Sequence, residues 1–572
     1  MKKFFAVFLF LFVLETSAQE LNAIFKNNQS IDYWNLIAAY KKIDAHSDQM
    51  KLIEYEKTDA GFPLHLLVIN KKKDFSKPSK KAKNHSTFLI MNGIHPGESE
   101  GIDASLLLAQ EMAYGKLAIP ENVTICIMPV YNVDGMLNRK KHTRVNQNGP
   151  EEKGARGNAR GYDLNRDFIK ADTKNTFAFY KIFHDWKPEV FLDNHTSNGA
   201  DYQYTMTLIA TQRQKLGGKT AELLSAKMLP DLYSQMKRKN FEMIPYVNLF
   251  GKSPDENGYE EFLETPKYST GYTALFGTIG FVAETHMLKP YPSRVEATHE
   301  LMKCMINFIE NNTSSIREAK TNDELNYKIA ADYETNFKLD TTQFSKIIFN
   351  GYEAQKIPSQ LGNYKRTFYN REKPFSKEIN YYNYYTSKLK IVLPKYYVIS
   401  KGWLTVIERL KSNQIEMKKF EKDTSFDVSV QYITHYDCSS KPYEAHHPNY
   451  SIQTEKQTMN IKFLKGDYLI PTNQIGSRYL AETLEPKSED GFFAWNFFDN
   501  ILHAKEGFSD YVFEDDALKI INENNDLKLK FENWKINNPT KANNSYEVLN
   551  FIFKNSTYKD VEHNRIPVFR ID

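Results

Sequence analysis

Cysteine is scarce in this chain: Cys126, Cys304 and Cys438 are the only three in 572 residues. That excludes a scaffold built on disulfides. Cys126 lies inside the apolar run 123–130 and reads as a small core residue, so thiol chemistry is not expected to drive the reaction. An excess of one charge is also lacking. Lys plus Arg number 75 against 71 Asp plus Glu, a net charge of +4 with no long basic run, which argues against nucleic acid as a partner. Beyond residue 14 no apolar stretch reaches the roughly 18 residues that a membrane-crossing helix needs. No internal repeat and no low-complexity segment stands out. What is present is an ordinary globular balance, 41% hydrophobic and 26% charged, at a length that predicts two or three domains.

The N-terminus carries a targeting pattern. Met1-Lys2-Lys3 is followed by the unbroken apolar run Phe4 to Leu14 and then by Thr16-Ser17-Ala18. Positive, apolar and small-residue regions in that order read as a secretory signal peptide over residues 1–18, with Gln19 as the first mature residue. The expected location is periplasmic or extracellular. No cysteine lies near the cleavage point, which argues against a lipid anchor.

Three short apolar runs organise the first half. Residues 86–91 (STFLIM) have the continuous apolar character of a strand buried on both faces. A helical pattern follows at 101–113 (GIDASLLLAQEMA), then a second buried strand at 123–130, and together they form a βαβ unit. His95-Pro96-Gly97-Glu98 follows the first strand, where open α/β sheets collect their ligands. The runs 190–193 (VFLD) and 280–283 (GFVA) are followed by His195 and by Glu284. Two histidines and a carboxylate can hold Zn²⁺ and leave a fourth position for water, which points to hydrolysis by metal-activated water.

Spacing alone would not carry this reading. With 14 His and 71 acidic residues, chance supplies about one or two His-x-x-acid matches, and His503-Ala504-Lys505-Glu506, in a stretch that reads as helix, is one. The convergence of three strand ends distinguishes His95, Glu98 and His195. Glu284 is the expected general base. Asn165 and Arg166, in Asp163-Leu164-Asn165-Arg166-Asp167-Phe168, suit a carboxylate, and Arg144 suits a developing oxyanion.

The ordered set His95-x-x-Glu98, DLNRDF at 163–168, His195 after LDN, and Glu284 in FVAET resembles the zinc carboxypeptidase (metallocarboxypeptidase, or funnelin) family over about residues 30–310. The resemblance implies an α/β fold, with a mixed, mostly parallel sheet flanked by helices. It also implies one zinc per chain on His95, Glu98 and His195, Glu284 as base, and Asn165 and Arg166 on the substrate's terminal carboxylate. Tyr268 matches the family's mobile tyrosine. Arg144 is the best match to the oxyanion arginine, with Arg139 competing. Where digestive members carry an arginine before the zinc glutamate, this chain has Gly97, which removes a substrate contact. No charged residue lies between Tyr268 and Glu284, which predicts a preference for apolar or aromatic C-terminal residues.

The domain expectation is a catalytic domain at 19–310, a linker at 311–330 and a β-rich mixed domain of unnamed role at 331–572. Asp437, Cys438, Glu444, His446 and His447 include metal-capable side chains but have no repeated spacing. The expected activity is an exported zinc metallocarboxypeptidase acting on peptide substrates. A cell-wall peptide amidase with the same centre is the nearest rival. An inactive carboxypeptidase-like binding protein is the rival from another class.

Overall fold

The computed structural model describes residues 24–77 and 84–572; the expected signal peptide lies outside them. Among the described residues no helix is long and apolar enough to cross a membrane.

In chain order the first half contains α1 (Tyr33–His46), β1 (Met50–Lys57), β2 (Pro63–Ile69), β3 (Ser86–Asn92), α2 (Glu100–Ala113) and β4 (Val123–Met128). There follow α3 (Lys174–Trp186), β5 (Val190–Ser197), β6 (Met206–Ala210), β7 (Met243–Pro245), β8 (Tyr259–Glu260), β9 (Ile279–His286) and α4 (Tyr291–Ile329). Eight strands form one mixed sheet in the order β1-β2-β4-β3-β5-β9-β6-β7. The centre, β4-β3-β5-β9, is parallel, while β1, β2 and β6 run antiparallel to their inner neighbours. Every residue of β3, β4 and β5 is buried, which is why these strands read as continuous apolar runs rather than as alternation.

β5 and β9 are longer than their apolar runs, whereas β4 stops at Met128, short of the end of its run. β5 continues through His195 and β9 through Glu284, so both residues project from strands; only His95 and Glu98 lie in a loop. Helix α2 begins against the strand ends. A Cβ at Gly101 would lie 2.3 Å from Asn194 Cβ and 2.6 Å from Asn92 Oδ1. Beneath it Asn194 Nδ2 donates to Asn92 Oδ1 (2.8 Å), and Asn92 Nδ2 donates to Ser105 Oγ (2.9 Å).

Residues 311–329, expected as a linker, are the second half of α4, bent at Asn312. Their polar side chains are not all solvated. Lys320 Nζ donates to Pro188 O (2.7 Å), and Asp323 accepts from the backbone N–H groups of Lys219 and Thr220. Composition cannot separate buried, satisfied polar groups from solvated ones, so the stretch mimics a linker. The His503 region also differs from expectation: a one-turn helix ends at Leu502, and His503 is exposed in extended backbone.

The second half is β-rich with appended helices. It contains β10 (Asp332–Leu339), β11 (Ser345–Pro358), β12 (Lys365–Tyr382), β13 (Tyr385–Val392), β14 (Tyr396–Ile399) and α5 (Leu404–Ser412). β15 (Lys418–Lys419), β16 (Thr424–Cys438), β17 (Asn449–Phe463), β18 (Tyr468–Pro471) and β19 (Val568–Ile571) complete the strands. Six of them form the sheet β15-β18-β14-β19-β16-β17. β12 also pairs with β8 of the first half. Three helices at 510–554 pack on their own apolar cluster, which includes Phe513, Leu527 and Phe553.

Gly101→Ala should cost about 1–3 kcal/mol, because the new methyl must displace the Asn92–Asn194 pair. Urea unfolding should show a lower midpoint at unchanged slope; an unchanged midpoint would contradict the close approach.

Candidate metal centre

Backbone geometry delivers the three expected ligands to one point. His95 and Glu98 sit in the loop leaving β3, closed by a turn in which Glu98 N donates to His95 O (2.8 Å). His195 comes from β5, whose Asn194 is registered against Asn92 of β3. One candidate ligand atom from each of His95, Glu98 and His195 lies within 4.8 Å of the others, and all three residues are buried. Among the described residues this is the only such group.

The donor set fits a metal ion. His95 Nε2 is held by Asp163 Oδ1 at 2.9 Å, while its Nδ1 is buried without a hydrogen bond, 3.2 Å from Glu98 Oε1. A histidine whose far nitrogen rests on a carboxylate is oriented to ligate through the near one. His195 Nδ1 lies 2.9 Å from Glu98 Oε2, and its Nε2 lies 3.0 Å from Asp193 Oδ2.

Glu98 is the electrostatic centre. It accepts from Thr196 N (2.9 Å) and from an Arg144 guanidinium nitrogen (2.5 Å). Burial raises its pKa, but Arg144 and His95 outweigh burial and hold it well below the usual carboxylate range. Burial also opposes the ionisation of Asp163, yet His95, Arg156 and Arg166 drive its pKa far down. His195 moves the other way: burial lowers it, but Asp193 and Glu98 hold it well above the usual imidazole value.

Glu284 of β9 is registered directly against His195 of β5, so the two side chains share a face of the sheet. Burial is the main reason that its carboxyl rises to about 8; His195 opposes the rise, and Glu98, Glu264 and Asp193 add to it.

Arg144 and Arg139 separate cleanly. Arg139 donates to the Ser30 and Ile31 carbonyls and ties down the N-terminal segment. Arg144 instead crosses above Gly97, where a Cβ would lie 2.4 Å from its Cδ, and its Nε donates to Gln147 Oε1 (2.7 Å). Its own backbone is left-handed, with φ of 54°. The absent side chain at residue 97 therefore leaves room for the Arg144 stem.

Asn165 and Arg166 lie in a one-turn helix capped by Asp163, whose Oδ1 accepts from Asn165 N (3.0 Å). Phe168 N donates to Lys267 O (3.2 Å), which joins this segment to Tyr268, and the Arg166 guanidinium lies 4.5 Å above the Tyr268 ring. Arg166 NH1 donates to Asn165 O (2.8 Å), and Asn165 Oδ1 is buried without a partner.

The profile of the zinc carboxypeptidase family matches residues 36–210. Residues 36–210 thus resemble a zinc carboxypeptidase. The match supports a peptide-bond hydrolase of the metallopeptidase class, and His95, Glu98 and His195 all lie inside the matched residues. Carboxypeptidase 2 of Trichophyton rubrum is 20% identical over 434 residues, covering 70% of this chain and 72% of its own. A metallo-carboxypeptidase of Burkholderia cenocepacia aligns with 18% identity over 48% of this chain and 68% of its own, at a TM-score of 0.35. Carboxypeptidase A of Helicoverpa armigera aligns with 12% identity over 54% and 82%, at a TM-score of 0.38.

The carboxypeptidase domain also uses groups that the sequence did not single out. Asp163 orients His95, and Arg156 Nε donates to Asp163 Oδ2 (2.9 Å). Asp163 was readable, being the first residue of the DLNRDF motif; Arg156 carried no signal. Asp193 and Glu264 are buried carboxylates whose fields reach His195 and Glu284. The uncharged stretch between Tyr268 and Glu284 therefore does not describe the electrostatics of the folded site. His286 is structural: Nε2 donates to Ala200 O (2.8 Å), and burial lowers its pKa to about 4. The 437–447 side chains do not converge on a metal site; Cys438 is exposed, and His446 pairs with Asp172 at 2.7 Å.

Asp163→Asn should weaken zinc binding about 10- to 100-fold, since the amide no longer anchors His95 as a carboxylate does. Competition against a chelator measures this, and wild-type affinity in the variant would refute the orienting contact.

Proposed function

We propose that this chain is an exported zinc-dependent metallocarboxypeptidase that removes the C-terminal residue of peptides. One observation carries the reading. A half-buried carboxylate, Glu284, stands beside one candidate ligand, His195, while Arg166 stands three residues from Asp163, the group that orients the other histidine, His95. A base and a carboxylate-binding cation thus flank a single buried donor set.

His95, Glu98 and His195 would hold one zinc. A bound zinc supplies Lewis-acid polarisation of the scissile carbonyl and lowers the pKa of a water. Glu284 takes the proton of the attacking water and returns it to the leaving amine. A cation held by these residues would favour the ionised form of Glu284 and oppose the rise that burial produces. Arg144, the residue read as the oxyanion partner, reaches the centre from above Gly97 with its guanidinium aimed at Glu98. Charge that develops on the carbonyl oxygen can be shared with it. Arg166 and Asn165 grip the terminal carboxylate, and Tyr268, already stacked on Arg166, closes over it. Export rests on the charged, apolar and small-residue order of residues 1–18.

Glu284→Gln should lower kcat by about 10²- to 10⁴-fold while the variant still binds one zinc. Mass spectrometry of a mixed peptide digest should show loss of single C-terminal residues and no attack on C-terminal amides. Internal cleavage, or equal turnover of the amides, would overturn the exopeptidase reading.

A further inference from the structure

The carboxylate-binding segment 163–172 is gripped from outside by the second half of the chain. Arg409 of α5 donates to the carbonyls of Lys170 (2.5 Å) and Ala171 (2.9 Å). His446 Nε2 donates to Asp172 Oδ2 (2.7 Å). Two contacts reach the site itself: Arg166 Nε donates to the Tyr443 hydroxyl (3.0 Å), and Asp163 N donates to Glu444 Oε2 (3.0 Å).

Both come from one tight turn between β16 and β17. Tyr443 N donates to His446 O (2.7 Å), and His446 N donates to Tyr443 O (3.1 Å). The two residues between them, Glu444 and Ala445, have φ of 48° and 65°. Turns of this hand take Asn-Gly by preference, because side chains are disfavoured at positive φ. Here a glutamate occupies the first strained position and spends its carboxylate on the backbone of Asp163. Strain of this kind persists only where surrounding contacts hold it.

We propose that Tyr443 is a positioning residue for the substrate's terminal carboxylate, so that the β16–β17 turn of the second half completes the substrate site. Arg166 Nε is taken by Tyr443 and one NH1 proton by Asn165 O, with the Tyr268 ring against the guanidinium face. These contacts leave the NH2 group and the second NH1 proton to donate to a carboxylate. Fixing the guanidinium beforehand removes rotamer entropy that binding would otherwise cost. Glu444, through Asp163, holds the same segment against His95. The inference rests on Arg166 as the carboxylate binder.

Tyr443→Phe tests it, because it deletes the hydroxyl and keeps the ring that stacks on Trp495. The full-length, zinc-loaded Glu284→Gln chain, in which turnover is slowed, is titrated by calorimetry with a tripeptide and with its C-terminal amide. Adding Tyr443→Phe should reduce the preference for the free carboxylate by about tenfold and leave affinity for the amide unchanged. Equal weakening of both ligands would make the contact merely structural, and an unchanged preference would remove Tyr443 from the site; either result overturns the inference while the proposed activity stands. If the parent chain itself does not prefer the carboxylate, the role of Arg166 fails and this inference fails with it.

Discussion

A carboxylate buried at the end of the central sheet sets the terms for the rest of the site. Glu98 is almost fully sequestered, and a lone carboxylate there would cost several kcal/mol. Its partners answer that cost: His95 and His195 on two sides, Arg144 on a third, and the Thr196 N–H from the strand itself. Each partner then imposes a condition of its own. Arg144 can cross to Glu98 only because residue 97 has no side chain. His95 is fixed by Asp163, which holds its far nitrogen, and Asp163 stays ionised under burial because His95 itself, then Arg156 and Arg166, stand near it. The charges form one mutually dependent set rather than a collection of pairs.

Precision within that set comes from two sources of unequal rigidity. His195 and Glu284 lie opposite each other on adjacent parallel strands, so their separation is fixed by backbone hydrogen bonding. Sites on sheet elements are held more tightly than sites on loops. Asn165 and Arg166, the proposed carboxylate binders, have no such frame. Their segment is instead held from within by Asp167, which accepts from Thr173, Thr176 and Lys170, and from without by Arg409, Tyr443, Glu444 and His446. A loop made rigid by polar contacts on both sides does the work that a strand does for His195.

These differences explain what was legible in the sequence. β3, β4 and β5 are legible because both faces are buried, and the candidate ligands lie at the carboxyl ends of β3 and β5. Strand length was underestimated because the sequence signal was apolarity, and β5 and β9 turn polar where they enter the site. β16 and β17 carry a weaker signal: much of their length is only half-buried or exposed, so alternating polar residues mask the strand. Residues 311–329 are hard to place for the opposite reason, since a helix that buries Lys320 and Asp323 looks solvated in composition. Arg139 and Arg144 sit five positions apart with identical chemistry, and only the packing over Gly97 against the packing onto Ser30 separates them.

Tyr443 and Glu444 mark the limit of reading along the chain. They approach Arg166 and Asp163 from more than 270 positions away, and no local spacing encodes that contact. The strained turn that carries them is a local signal, but one visible only in backbone angles. The alternative is that the second half merely rests against the carboxypeptidase domain. Simple packing would be satisfied by apolar contact and would have no need to hold Glu444 and Ala445 at positive φ. Instead the turn accepts from the Arg166 guanidinium and the Asp163 backbone amide, the groups beside the proposed carboxylate site, where a strained contact would have a functional return. The second half is better understood as the outer wall of the site than as an appendage to it.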